Sequence, residues 1–94
     1  MSVLKENEIY SKLKTMDNWF YSENQIQKEF SFKDFIDALS FVNKVAFESE
    51  KMDHHPDILL HSWNKVRISI STHSEGGVTE KDFELAQRIE DRLK

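Results

Sequence analysis

Apolar and polar residues alternate along two segments of the chain. The clearer alternation covers residues 65–71, and residues 26–32 repeat it. Successive side chains of a strand point to opposite faces, so both segments are predicted to be half-buried strands. The aromatic-rich residues 18–21 precede the second segment, and the polar residues 22–25 between them indicate a hairpin. A short apolar run at residues 58–60 is interpreted as a fourth strand.

Other segments space their apolar residues as a helix does. Near the N-terminus, Asn7 is a candidate cap for a short helix in which Ile9 and Leu13 share one face. We expect this helix to end near Thr15.

A long helix is predicted over residues 33–52, because Ser31 and Asp34 have the spacing of a capping box. Pro56 disfavours helical geometry at His55, so the helix must stop close to that point. We expect it to be the principal core helix. Its predicted buried stripe is formed by Phe35, Leu39, Val42 and Ala46, widened by Ile36, Val45 and Phe47.

A final helix is expected after the turn at residues 74–77, which contains both glycines of the chain. Thr79 and Asp82 again have capping-box spacing. The predicted buried stripe of this helix is Phe83, Ala86, Ile89 and Leu93. Together these elements predict an α+β domain over residues 1–94, with one four-stranded antiparallel sheet and three helices packed on one face.

Composition narrows the class of protein. The net charge is -4 and the basic residues are dispersed, which argues against nucleic-acid binding. With 0 cysteines, the chain has neither a disulfide framework nor a thiolate metal site. No apolar run approaches the roughly 20 residues of a membrane helix, and residues 1–10 do not resemble a signal peptide. We therefore expect a soluble, cytoplasmic protein.

The candidate chemistry lies in the histidines. His54, His55 and His61 are close together, and His73 follows the strand predicted at residues 65–71. Histidine titrates near neutral pH, so several histidines gathered near carboxylates suggest proton transfer or metal binding.

Seven residues stand at a characteristic spacing along the chain: Glu50, His54, His55, Pro56, Trp63, His73 and Asp82. This spacing resembles the motif of the pterin-4a-carbinolamine dehydratases, also called the dimerisation cofactor family. The resemblance extends over residues 32–35, 63–66, 72–73 and 77–82. One departure is the segment 58–62, which is one residue longer than in many relatives and has Ile58 where they often have an aromatic residue. We interpret His61, within that segment, as incidental.

The resemblance implies dehydration of a 4a-hydroxytetrahydropterin to a quinonoid dihydropterin, without a redox cofactor or metal. It implies proton transfer by His54 and His73, with His55 orienting the pterin. By the same resemblance, Glu50 and Asp82 would orient imidazoles. Pro56 would give the chain a rigid bend and Trp63 would form an apolar or stacking wall. Relatives form dimers and tetramers, and aromatic amino acid hydroxylases release the substrate.

Other interpretations stay open for these residues. Taken singly, His54 and His55 fit the C-terminal dipole of a helix, and Asp82 fits a helix cap. Three or four histidines with a carboxylate could bind Zn²⁺ or Fe²⁺, although adjacent His54 and His55 tend to point in different directions. A non-catalytic dimerisation or interaction module of the same fold is the third alternative.

Overall fold

A computed structural model describes residues 2–94 and confirms the predicted α+β class. Within that range no helix is long and apolar enough to cross a membrane. The elements, in chain order, are α1 (Glu6–Leu13), β1 (Phe20–Ser22), β2 (Gln25–Ser31), α2 (Phe35–Met52), β3 (Asp57–His61), β4 (Lys65–Ile70), a 3₁₀ turn (His73–Glu75) and α3 (Glu80–Asp91).

The four strands form one antiparallel sheet in the order β1-β2-β4-β3. Along β4, Val66, Ile68 and Ile70 are completely buried, whereas Arg67 on the opposite face is exposed. The buried side chains join the core under the helices. The sheet is therefore covered by helices on one face, as its alternation predicts.

The first hairpin is tighter than predicted. Strands β1 and β2 are joined by only two residues, Glu23 and Asn24, both with positive φ (53° and 63°). Two such residues form the turn whose twist matches that of paired strands. Asn24 tolerates this left-handed conformation better than most residues do.

The N-termini of α1 and α2 correct two predicted caps. Asn7 lies inside α1, and the Glu8 carboxylate instead accepts a hydrogen bond from the backbone N–H of Lys5. Ser31 ends strand β2, and Asp34 is the N-cap of α2, accepting from Asp37 N. Both helices begin where a carboxylate can satisfy a free backbone N–H.

The buried face of α2 is largely not the predicted one. Of the predicted stripe, Val45 is buried and Val42 partly buried, but the other positions are exposed. The face turned to the core consists of Ala38, Phe41, Val45, Glu48 and Ser49. The exposed remainder of the prediction is Phe35, Ile36, Leu39, Ala46 and Phe47. Because α2 has apolar residues on two sides, its period alone does not identify the inner side.

Helix α3 follows its prediction except at its end. The capping box is present, since Thr79 N donates to Asp82 Oδ2 over 2.8 Å. Leu93, however, lies beyond the end of the helix and is exposed, while Leu85 is buried and was not in the predicted stripe.

Buried Glu48 links α2 to α3. Its carboxylate accepts from Arg92 Nε over 2.7 Å and from Arg88 Nη1 over 3.4 Å. The hydrogen bond from Arg92 is the main reason that the pKa of Glu48 lies below its ordinary value. A lowered carboxyl pKa contributes stability above the unfolded-state pKa, and this contribution is lost as the pH falls through the folded-state value.

Candidate functional site

The pairing of β3 with β4 brings two parts of the motif to one end of the sheet. The strands are antiparallel, and Asp57 at the start of β3 pairs with Ser69 near the end of β4. The residues just before β3 and just after β4 therefore lie at the same end. These residues include His55 and Pro56 on one side and His73 on the other.

Helix α2 ends just before the two adjacent histidines. Asp53, its C-cap, is left-handed with φ 50°, and its N–H donates to Glu50 O. His54 N then donates to Ser49 O over 3.0 Å, which satisfies one of the last helical carbonyl groups. This ending turns the chain so that His54 points inward and His55 outward.

His54 and Asp82 form a buried pair. The distance from His54 Nε2 to Asp82 Oδ1 is 2.6 Å, and the side chains are 10% and 0% exposed. An ionised carboxylate only accepts hydrogen bonds, so Nε2 of His54 is assigned as the donor. In the neutral ring, Nδ1 is then free to accept a proton or a hydrogen bond.

Asp82 has two further donors, both on its other oxygen. Thr72 Oγ1 donates to Oδ2 over 2.9 Å, and the backbone N–H of Thr79 donates to the same oxygen. Every described buried polar side chain of this cluster has a partner. Such a satisfied network holds its members in one arrangement.

His55 and Glu50 form a second pair of similar length and opposite exposure. His55 Nε2 lies 2.5 Å from Glu50 Oε2, and the side chains are 55% and 75% exposed. Water competes for both groups, so this pair is free to exchange its partner for a ligand.

His73 is exposed and begins a tight loop. Thr72, the residue before it, forms a β-bridge with Gly77, and Gly76 closes the 3₁₀ turn at φ 80°. The amide of Asn24 donates to Gly76 O over 2.7 Å and so ties the loop to the first hairpin. These contacts fix the backbone near His73 and leave its ring accessible.

Trp63 does not join the histidines within one chain. It lies in the turn between β3 and β4, at the opposite end of these strands from Pro56. Five strand residues at about 3.3 Å each separate the two ends by more than ten ångströms. Trp63 is 62% exposed. A wall role for Trp63 therefore lacks support from the geometry of the single chain.

His61 also lies apart from the other histidines. Its Nε2 is 2.7 Å from Glu29 Oε1 on the sheet face opposite the helices, next to Arg67. The hydrogen bond from His61 is the largest cause of the lowered pKa of Glu29.

Metal geometry is not found at these residues. Within residues 2–94, no three side chains of the His, Asp and Glu type are grouped so that they could hold an ion. The histidines are each paired with a different carboxylate or left exposed.

Sequence reasoning did not assign Thr72 to the site and assigned Thr79 only to a helix cap. Their contact with Asp82 spans the end of β4 and the start of α3. The one available signal was the position of Thr72 directly before His73.

The comparison with protein families gives a match over nearly the whole chain. The model of the family described as pterin 4 alpha carbinolamine dehydratase matches residues 2–92. Curated relatives named "Putative pterin-4-alpha-carbinolamine dehydratase" include one from Sulfolobus acidocaldarius, 49% identical and covering 92% of this chain and 93% of the relative. Another, from Christiangramia forsetii, is 45% identical over 97% of this chain and 93% of its own.

Solved structures agree with this assignment. A transcriptional coactivator/pterin dehydratase from Brucella melitensis superposes with a TM-score of 0.89 at 36% identity, covering 96% of this chain and 97% of its own. A pterin dehydratase-like protein identified as a RuBisCO assembly factor in the alpha-carboxysome has a TM-score of 0.66 at 22% identity, covering 81% and 89%. The second likeness concerns the fold alone. From the family match and the close relatives, the chain belongs to the pterin 4 alpha carbinolamine dehydratase family.

Proposed function

We propose that this protein dehydrates 4a-hydroxytetrahydropterin to quinonoid dihydropterin. Family membership supports the reaction, and the buried His54–Asp82 pair is the observation that carries the proposal. A histidine held by a buried carboxylate at 2.6 Å, beside a protein surface with further imidazoles, suits proton transfer near neutral pH.

The reaction requires two proton movements that balance each other. The bond between C4a and its hydroxyl oxygen breaks, and the oxygen takes a proton and leaves as water. A ring N–H loses a proton, and its electrons form the new C=N bond. No electrons leave the molecule, so this reaction uses no redox cofactor, and we propose that it uses no metal.

His54 and His73 are proposed to transfer protons at the 4a hydroxyl. Asp82 fixes the ring of His54 through the hydrogen bond to Nε2. An acid or base placed in this way contributes roughly 10² to 10⁴ in rate. The assignment of acid and base between the two rings is interchangeable.

His55 is proposed to hydrogen-bond and orient the pterin. Its exposed pairing with Glu50 supports this role, because a ligand can replace or join the carboxylate there. Pro56 would keep this segment rigid. Trp63 would contribute a stacking wall only through a neighbouring chain, given its place at the far end of the β3–β4 hairpin.

The source of the substrate is proposed to be an aromatic amino acid hydroxylase, the kind of enzyme that forms 4a-hydroxypterins. The absence of cysteine is compatible with our proposal of a reducing, cytoplasmic setting.

A homo-oligomer, dimer or tetramer, is also proposed. Helix α2 exposes four large apolar side chains along one side, and a contiguous exposed apolar patch often marks an interaction surface. One of them, Phe47, also lines an open groove of about 350 Å³. Sedimentation velocity should give a dimer or tetramer, and a concentration-independent monomer would contradict this. The exposed side chains are Phe35, Ile36, Leu39 and Phe47.

The rival is an interaction module without catalysis. The RuBisCO assembly factor has this fold, and the exposed apolar side of α2 is compatible with a protein partner. The two functions differ in their need for the histidines. An interaction through α2 does not use His54, His55 or His73, whereas dehydration does.

The deciding experiment is a stopped-flow assay of 4a-hydroxytetrahydropterin dehydration by purified protein. We expect acceleration over buffer, unchanged after treatment with a chelator. No acceleration by a folded preparation would leave the interaction module as the better function. Activity lost with chelator and restored by Zn²⁺ or Fe²⁺ would instead favour the metal hypothesis.

A further inference from the structure

The buried cluster at Asp82 contains two threonine hydroxyls that have no role in the proposed proton transfer. Thr72 directly precedes His73, and Thr79 is the N-cap of α3. Their exposed fractions are 6% and 0%. Thr72 Oγ1 lies 2.8 Å from Thr79 Oγ1 and 2.9 Å from Asp82 Oδ2.

The hydrogen bonds of this cluster have a fixed direction. Each hydroxyl has one proton, and the carboxylate only accepts. Thr72 therefore donates to Asp82, and Thr79 donates to Thr72. The backbone N–H of Lys81 donates in turn to Thr79 Oγ1 over 3.3 Å. The series of donors ends at Oδ2 of Asp82.

This arrangement divides the two oxygens of Asp82 between two tasks. Oδ2 accepts from the buried Thr72 hydroxyl and from the backbone N–H of Thr79, and these two donors hold the carboxylate in place. Oδ1 is left for His54 Nε2. Without the Thr72 hydroxyl, only Thr79 N would hold Oδ2, and the carboxylate would be freer to turn about its own axis.

The backbone of Thr72 holds the adjoining loop as well. Thr72 N donates to Gly77 O over 2.9 Å, and Thr72 O accepts from Gly76 N and Glu75 N over 3.0 Å each. The side chain and the main chain of one residue thus connect Asp82 to the loop that begins at His73.

We propose that Thr72 is a positioning residue: its hydroxyl orients Asp82 toward His54, while its backbone N–H and carbonyl hold the loop of His73. The kinetic part of this inference rests on the proposed dehydratase function, and the spectroscopic part does not. Thr72 is 6% exposed, and its hydroxyl contacts Asp82 and Thr79, so we propose that it acts through Asp82.

The test compares Thr72→Val, which removes the hydroxyl at nearly constant shape, with Thr72→Ser, which restores it. Ser49→Ala is the matched control, since Ser49 is also buried and donates its hydroxyl to Val45 O over 2.8 Å, away from Asp82. Ring ¹⁵N shifts of His54 report the tautomer, and steady-state kinetics report kcat and KM.

We expect wild type, Thr72→Ser and Ser49→Ala to show the neutral ring of His54 with its proton on Nε2. Thr72→Val should show a mixture of tautomers and a kcat lower by about tenfold, with KM less affected. Thr72→Ser should recover most of the lost turnover.

The inference is overturned if Thr72→Val keeps a single Nε2-protonated ring, or if Thr72→Ser is as impaired as Thr72→Val. It is also overturned if wild-type His54 has its proton on Nδ1, a result that needs no variant to fold. If the wild type lacks dehydratase activity but its tautomer responds to Thr72→Val, the positioning inference stands and the proposed function fails. If the wild type is active but the tautomer of His54 does not respond to Thr72→Val, the proposed function stands and the positioning inference fails.

Discussion

Two histidines that are adjacent in the sequence each pair with a carboxylate, but the two pairs lie in different surroundings. His54 with Asp82 and His55 with Glu50 have nearly equal lengths, 2.6 and 2.5 Å. Their side-chain exposures are 10% and 0% for the first pair and 55% and 75% for the second. Hydrogen-bond length alone therefore does not distinguish the energetic weight of the two pairs.

Surroundings decide what each pair can do. The carboxylate of the buried pair has three donors and is 0% exposed, so it fixes the ring that it contacts. The exposed pair shares its groups with solvent, and pairs of this kind contribute about 0–1 kcal/mol. The buried pair is suited to orient a ring, and the exposed pair to meet a ligand.

The largest effect is expected from removing the two exposed rings together. The double substitution His55→Ala and His73→Ala should lower turnover by at least about 10²-fold, because it removes one proposed proton-transfer group and one orienting group. Fold and oligomer size should stay unchanged, since both side chains are exposed. Circular dichroism and sedimentation check the fold, and the dehydration assay checks turnover.

His61→Ala is the matched control for that experiment, because His61 pairs with Glu29 on the other face of the sheet. It should leave turnover unchanged. Unfolding of the double variant would give the exposed histidines a structural role and remove the contrast between the two pairs.

The pattern of apolar and polar residues predicted the secondary-structure elements that carry this site better than it predicted the contacts between their side chains. Alternation located β4, and capping-box spacing located the start of α3 with Asp82 in it, because both depend on near neighbours in sequence. The contact between His54 and Asp82 crosses 28 positions. Spacing along the chain does not determine such a contact. The family resemblance implied only that Asp82 would orient an imidazole, without indicating which histidine.

The inner face of α2 shows a second limit. Phe41 and Val45 pack on the core, while Phe35, Leu39 and Phe47 form an exposed apolar side of the same helix. Both sides satisfy a helical period, so the pattern indicates an amphipathic helix without selecting the side that the sheet covers. Tertiary packing makes that choice.

A smaller effect is expected from Asp82→Asn, which tests the buried pair. If the amide oxygen faces the donors Thr72 and Thr79, its NH₂ group faces His54 and forces Nε2 to accept. The proton of the neutral ring then moves to Nδ1. Turnover should fall by at least about 10-fold, because the ring then has the wrong tautomer for proton transfer.

The stability of Asp82→Asn should change as well. The free energy of unfolding should fall by about 1–2 kcal/mol through weaker hydrogen bonds to the neutral amide. Wild-type turnover, with only the melting temperature lowered, would reduce Asp82 to a helix cap.

The smallest effect is expected from Glu50→Gln, in the exposed pair. Because Glu50 is 75% exposed and its pair is screened by water, turnover should change by no more than about threefold.

Glu48→Gln is the matched control on the same helix. It weakens the buried contacts to Arg88 and Arg92, and it should lower stability while leaving turnover intact. Urea unfolding and the dehydration assay on both variants separate the two effects. A tenfold loss of turnover in Glu50→Gln at unchanged stability would mean that water leaves the exposed pair when the pterin binds. In that case exposure in the free protein would not predict the weight of a histidine–carboxylate pair during catalysis.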